Sequence, residues 1–123
     1  TLCHIMRHPG DRDHVIIPAD GIYAINIQVA WDSFAENSTN QRDYDLKVYR
    51  IRRGERQGRE EVLGQDNIRK TCAEDVRPCA VASVHQTLQL KEGDHLYISV
   101  RYKSLLFESS KDSYFELSSR YFE

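Results

Sequence analysis

The stretch Gly21-Ile22-Tyr23-Ala24-Ile25-Asn26-Ile27-Gln28-Val29-Ala30-Trp31 constrains this chain more than any other. Tyr23, Ile25, Ile27, Val29 and Trp31 fall at every second position. Successive side chains of a β-strand point to opposite faces, so this spacing gathers the five large apolar groups on one face. β-branched and aromatic residues also pack well on a pleated, half-buried surface. The opposite face, Ala24, Asn26, Gln28 and Ala30, is small or polar and carries no charge. An uncharged second face is expected to be covered, and another copy of the same chain is one candidate for the cover.

The same period recurs. Tyr44, Leu46 and Val48 alternate with Asp45 and Lys47, while Tyr49 and Ile51 break the pattern, as a bulge or a doubly buried end would. Val84, Leu88 and Leu90 share a face interrupted by Gln86, and Leu96, Ile98, Val100 and Tyr102 share another. Lys91-Glu92-Gly93-Asp94 between these two runs has the composition of a tight turn and predicts a β-hairpin. Residues 14–17 and 113–122 read as further strands, 62–71 as a weakly specified one, and 1–13 as uncertain. No segment has capped apolar spacing at 3.6. A chain of 123 residues suits one domain, 1–123. Seven or eight short strands then mean an all-β sandwich or barrel.

Charge excludes little but gives no push toward nucleic acid: 17 Lys and Arg are offset by 19 Asp and Glu. The cluster Arg50, Arg52, Arg53, Arg56, Arg59, Arg69 and Lys70 is interleaved with Glu55, Glu60, Glu61 and Asp66 and lacks stacking aromatics, so it reads as a solvated strand end and loop. There is no nucleophile elbow, P-loop, dinucleotide fingerprint or His-Glu-x-x-His helix. His4, His8 and His14, with Asp11 and Asp13 between them, have no convincing metal spacing, and His85 and His95 have no nucleophile to serve. The expectation is a protein without enzymatic activity, cofactor or metal.

Cys72 and Cys79 flank a short polar loop and are expected to bridge in an oxidising compartment, leaving Cys3 over. Closing so short a loop would contribute about 2 kcal/mol through chain entropy. Asn37-Ser38-Thr39 is a glycosylation acceptor in a polar stretch. Together these point outside the cell. Leu105, Leu106 and Phe107 are three large apolar residues in an otherwise polar loop. They read either as a satellite cluster packed under the loop or as anchors for a protein partner.

Gly21-x-Tyr23 followed by Gln28-Val29 resembles the third-strand motif of the tumour necrosis factor homology domain. Leu88-Gln89-Leu90-Lys91-Glu92-Gly93-Asp94-x-Leu96 resembles that family's leucine-x-leucine-x-x-glycine-aspartate-x-leucine segment, and Ser113-Tyr114-Phe115 resembles its last strand. Order and spacing match from Gly21 to Phe115, although the family's usual tryptophan near the domain start is missing. The resemblance implies a ten-stranded jelly roll of two antiparallel sheets that forms a homotrimer and binds cysteine-rich receptors in the grooves between subunits. It implies that Tyr23, Gln28, Val29, Leu88, Leu90, Gly93, Asp94, Leu96 and Phe115 hold the fold. It places Tyr114 among the axial aromatics, but puts Asn26 and Ser83 where many members carry two more, which implies a polar, wetter interface.

On this reading Ala24, Asn26, Gln28, Ser83 and Tyr114 form the trimer interface. The receptor is met by residues 32–42, 53–67 and 103–112. Arg53, Arg56 and Arg59 would steer by charge, with Leu105, Leu106 and Phe107 as anchors. The protein is expected to be secreted, or the ectodomain of a single-pass membrane protein. A trimeric C1q-like binding module is the nearest alternative. A jelly-roll carbohydrate-binding domain would have to rely on Trp31 and scattered tyrosines, and a cupin-like enzyme would need a histidine cluster that these residues do not assemble.

Overall fold

A computed structural model describes residues 2–7, 14–32, 41–55, 59–71, 78–102, 105–106 and 113–121. They form eight strands: β1 (Leu2–Arg7), β2 (Val15–Ile16), β3 (Gly21–Trp31), β4 (Arg42–Ile51), β5 (Glu61–Lys70), β6 (Ala80–Leu90), β7 (His95–Val100) and β8 (Tyr114–Tyr121). Two four-stranded antiparallel sheets result, ordered β1-β8-β3-β6 and β2-β7-β4-β5. This is the expected all-β sandwich of jelly-roll type, with no α-helix among the described residues.

The alternation in β3 does what its period dictates. Tyr23, Ile25, Ile27, Val29 and Trp31 are fully buried, and their neighbours across the sheet continue the same face: Ile27 lies opposite Val84 and Phe115, Ile25 opposite Leu117. Tyr44, Leu46 and Val48 of β4, with Leu96 and Val100 of β7, close the core from the second sheet. Each such side chain taken from water contributes roughly 1.5–3 kcal/mol. The polar tips of Trp31 and Tyr23 are satisfied. Trp31 Nε1 donates to the Arg101 carbonyl at 2.7 Å, and the Tyr23 hydroxyl donates to the Ala19 carbonyl at 2.6 Å.

Three local expectations change. The hairpin over 80–102 does not form: β6 pairs with β3 in one sheet, whereas β7 pairs with β4 and β2 in the other. The turn between them crosses from sheet to sheet and is fastened to distant segments. Gly93 N donates to the Ile17 carbonyl (2.9 Å), Ile17 N to the Asp94 carbonyl (2.8 Å), and Glu92 N to Asp20 Oδ1 (2.8 Å). Short-range turn chemistry cannot distinguish a hairpin from such a crossover, because both need the same tight reversal. Second, the irregularity expected near Tyr49 belongs to the partner strand. Val48 lies opposite Gly64 and Tyr49 opposite Val62, so Leu63 is the extra residue, while Arg50 and Ile51 make a doubly buried end of β4. Third, the uncertain opening of the chain contributes β1, and the weakly specified 62–71 region is a full-length strand.

Gly64 lets β5 approach β6 at the corner where the two sheets meet. A Cβ there would stand 2.5 Å from Val84 Cγ1. The same corner is tied by Ser83 N, which donates to Asp66 Oδ2 at 2.9 Å.

Candidate binding surfaces

Two surfaces are candidates for binding: the outer face of the β1-β8-β3-β6 sheet, and the end of the sandwich around the 52–60 connector. On the first, antiparallel pairing sets Gln28 of β3 directly between Ser83 of β6 and Tyr114 of β8. The next row places Asn26 between His85 and Glu116, and the one after it Ala24 between Thr87 and Ser118. Ala24, Asn26, Gln28, Ser83 and Tyr114 are all half-buried within the single chain. The register therefore brings together the five residues singled out in the sequence, the polar Asn26 and Ser83 among them.

Two features of this face were not foreseen. Ala30 is already covered by the chain itself, its N–H donating to the buried Ser113 Oγ at 3.1 Å. The middle row is also not wholly uncharged. Asn26 Nδ2 donates to Glu116 Oε1 at 3.5 Å, and Asn26 Oδ1 meets His85 Nδ1 at 2.9 Å. The outward parity of Glu116 and His85 was readable from their strands, but their convergence on Asn26 needed the register.

At the second surface, Arg50 is the keystone. It is buried at the end of β4, with Nη2 on Glu61 Oε2 at 2.7 Å, Nη1 3.7 Å from Asp94 Oδ2, and Nη1 donating to the Gln89 carbonyl at 3.4 Å. Arg52 also binds Glu61. The paired guanidinium groups, Arg52 first and Arg50 second, hold the Glu61 carboxyl down to about 2. Asp94 is buried because it accepts the Lys91 N–H at 3.0 Å and faces Arg50, which explains the aspartate of the glycine-aspartate pair. The glycine has its own reason. Gly93 adopts φ +87°, and a Cβ there would meet the Arg53 side chain at 2.6 Å.

On this base stands an open groove of about 530 Å³ lined by Arg52, Glu55, Arg59, Glu60 and Glu61. Arg53 and Arg59 are exposed beside or within it. The mixed lining, two arginines against three glutamates, does not favour a polyanion. Residues 61–67, expected in part as a contact loop, belong to β5.

The apolar triplet divides. Leu106 is 9% exposed and bridges to Trp31, and Leu105 packs against the core while its carbonyl accepts the Asp32 N–H at 2.7 Å. These two are the satellite cluster rather than presented anchors, because the end of β3 needs a cover for Trp31. Trp31 itself is fully buried and offers no platform to a sugar. Phe107, Arg56, Asn37 and Cys72 lie outside the described residues. Cys79 is disulfide-bonded, its partner sulfur outside the described residues. Its Sγ lies 3.2 Å from the Tyr44 hydroxyl, which must be the donor because a disulfide sulfur has no proton. Burial pushes the Tyr44 phenol above its ordinary range, which keeps that proton in place.

The outer face of the β2-β7-β4-β5 sheet carries a stack that the sequence did not announce. His14 and Tyr97 rings lie 4.8 Å apart, His14 and His95 4.7 Å, and Tyr97 and Tyr49 5.2 Å, with Lys47 Nζ over Tyr49. Only the outward parity of Tyr49 and Tyr97 signalled it. Among the described residues, no three His, Cys, Asp or Glu side chains converge as metal ligands. No described helix is long and apolar enough to cross a membrane.

A comparison with curated proteins found no matching relative. A family model for the TNF (Tumour Necrosis Factor) family matches residues 3–118, nearly the whole length, and its expected two-sheet β-architecture is the one described above. That family consists of cytokine ligands, typically extracellular or membrane ectodomains. With the motifs of β3, the β6–β7 crossover and β8 in their places, this chain belongs to the TNF family.

Proposed function

We propose that this domain acts as a homotrimeric cytokine that clusters cysteine-rich cell-surface receptors and performs no chemistry of its own. The observation that carries the reading is the outer face of β3 and its neighbours. Tyr114, Gln28 and Ser83 stand in one row beside Ala24 and Asn26, half-buried before any partner arrives. Small and neutral polar groups at these five positions let two copies approach closely, with the Glu116 carboxylate beside them accepting from Asn26. With one aromatic ring per subunit at the axis, from Tyr114, hydrogen bonds from Asn26, Gln28 and Ser83 would specify the register in place of stacked rings.

The rigid sandwich would then present the 52–60 connector and residues 33–40 and 103–112 to receptors, each subunit contributing to linked contacts that add avidity. Arg53, Arg56 and Arg59 serve as steering charges, and Phe107 remains as the apolar anchor now that Leu105 and Leu106 are committed to the core. Cys72 is the proposed partner of Cys79, and Asn37 the proposed glycosylation site, both in keeping with a secreted or cell-surface ligand.

The test is mass by light scattering over a concentration series, on protein from a secretory host. A threefold mass is expected. A stable monomer at micromolar concentration would overturn the assembly.

A further inference from the structure

The aromatic stack on the outer face of the β2-β7-β4-β5 sheet is no part of the core, and it lies on the opposite side of the sandwich from the proposed trimer face. Register makes it a single row. Tyr49 of β4 stands between Tyr97 of β7 and Val62 of β5, and His14, just before β2, stacks on Tyr97 from the other side. The three rings are half-buried, while Val62 at one end and Ile16 at the other are 54% and 56% exposed. Parallel rings pack face to face no closer than about 3.5 Å. The Tyr49 and Tyr97 centroids are 5.2 Å apart with the rings 8° from parallel, so they overlap like roof tiles and neither covers the whole face of the other.

The next two rows are polar. Lys47 lies between Ser99 and Gln65, and Asp45 lies opposite Asn67. Asp45 Oδ1 accepts from Gln65 Nε2 at 2.9 Å and from Asn67 Nδ2 at 3.2 Å. A carboxylate can only accept, so this contact fixes both amide nitrogens toward Asp45 and turns their carbonyl oxygens away from it. Gln65, Asn67 and Ser99 are exposed, and Lys47 and Asp45 are half-buried. The tyrosine row therefore borders an ordered set of donors and acceptors in which the charges have both signs.

Size and chemistry select the occupant. Three steps between strands and two pleats along them make a patch of roughly 14 Å by 14 Å, about 200 Å², against about 800 Å² per partner in a stable protein interface. A second copy would be held weakly on so small an area. A peptide that extends a sheet is held by backbone hydrogen bonds, but β4 and β7 are central strands already paired on both sides. A polyanion attracted by Lys47 would be repelled by Asp45. A sugar ring has the two kinds of surface this face complements, a C–H face for the tyrosine rings and a rim of hydroxyls that both donate and accept. We propose that the outer face of this sheet binds a neutral oligosaccharide. Its rings lie over Tyr49 and Tyr97, and its hydroxyls meet Gln65, Asn67, Lys47 and Ser99.

The experiment is titration of the purified chain, carrying isotope-labelled tyrosine, with neutral hexasaccharides of glucose, mannose, xylose and N-acetylglucosamine while the tyrosine ring resonances are followed. At least one sugar is expected to shift the Tyr49 and Tyr97 signals saturably. Tyr97→Ala should weaken that binding about tenfold. Gln65→Ala, an exposed change outside the core, should weaken it about fivefold. Circular dichroism confirms the fold of both variants. If no neutral sugar moves these two tyrosines, or if binding is undiminished in both variants, the proposal is overturned. It is equally overturned if only a heparin hexasaccharide or a proline-rich peptide binds this face, which would assign it to a polyanion or to a protein partner instead.

Discussion

Replacing Gly64 with alanine tests the corner that joins the two sheets. Gly64 is not among the glycines with positive φ, so its backbone accepts an L side chain. In a free loop the change would stabilise by about 0.4–1 kcal/mol, by narrowing the unfolded ensemble. Here the new methyl would sit 2.5 Å from Val84 Cγ1, with Val48 Cγ1 at 3.6 Å on another side. Val84 is a β-branched core residue held opposite Ile27, so it has little room to rotate away. Overpacking of this kind costs about 1–3 kcal/mol, which outweighs the entropic gain and leaves a net loss of about 1–2 kcal/mol. Urea unfolding at one fixed protein concentration measures it, the fixed concentration being needed because assembly adds to apparent stability. Val84→Ala alone should cost about 2 kcal/mol through lost burial and a cavity. In the double variant the added methyl occupies space the valine vacated, so the combined loss should fall short of the sum by about 1 kcal/mol or more. A Gly64→Ala protein as stable as the parent, or a double variant whose losses simply add, would refute the close-approach argument.

Two further perturbations address the site's support and the core. Because the depressed Glu61 carboxyl is ionised down to about 2, its contribution to stability is present above the ordinary carboxylate range and lost as pH falls toward that value. The stability gap between wild type and Glu61→Gln should therefore narrow between the ordinary 4.5 and about 2, and a carboxyl resonance titrating at 4.5 would contradict the Arg52–Glu61–Arg50 arrangement. Trp31→Phe keeps most of the apolar body but removes the donor to the Arg101 carbonyl, and a loss of about 1–3 kcal/mol in urea unfolding is expected. A neutral result would mean that this carbonyl finds another partner.

Much of the molecule was legible in the chain because period-two alternation is a local property. The burial of Tyr23, Ile25, Ile27, Val29 and Trp31, of Tyr44, Leu46 and Val48, and of Leu96 and Val100 follows from which side of a pleat each occupies. The uncharged face of β3 was equally readable. Which strand lies beside which was not. Leu90 and Leu96 flank a turn that reads as a hairpin, yet they belong to different sheets, since the choice between pairing and crossing depends on whether β3 and β4 offer edges far away in sequence. The same holds for the sites. Arg50 looked like one cation in a solvated run, and only folding placed it between Glu61 and Asp94, where burial makes ion pairing a requirement. Leu106 could be assigned to the core only once β3 ended with a tryptophan in need of a cover. Residue types and their spacing determined the faces of this protein. Tertiary structure decided the neighbours, because pairing energy is shared between strands that the chain keeps apart.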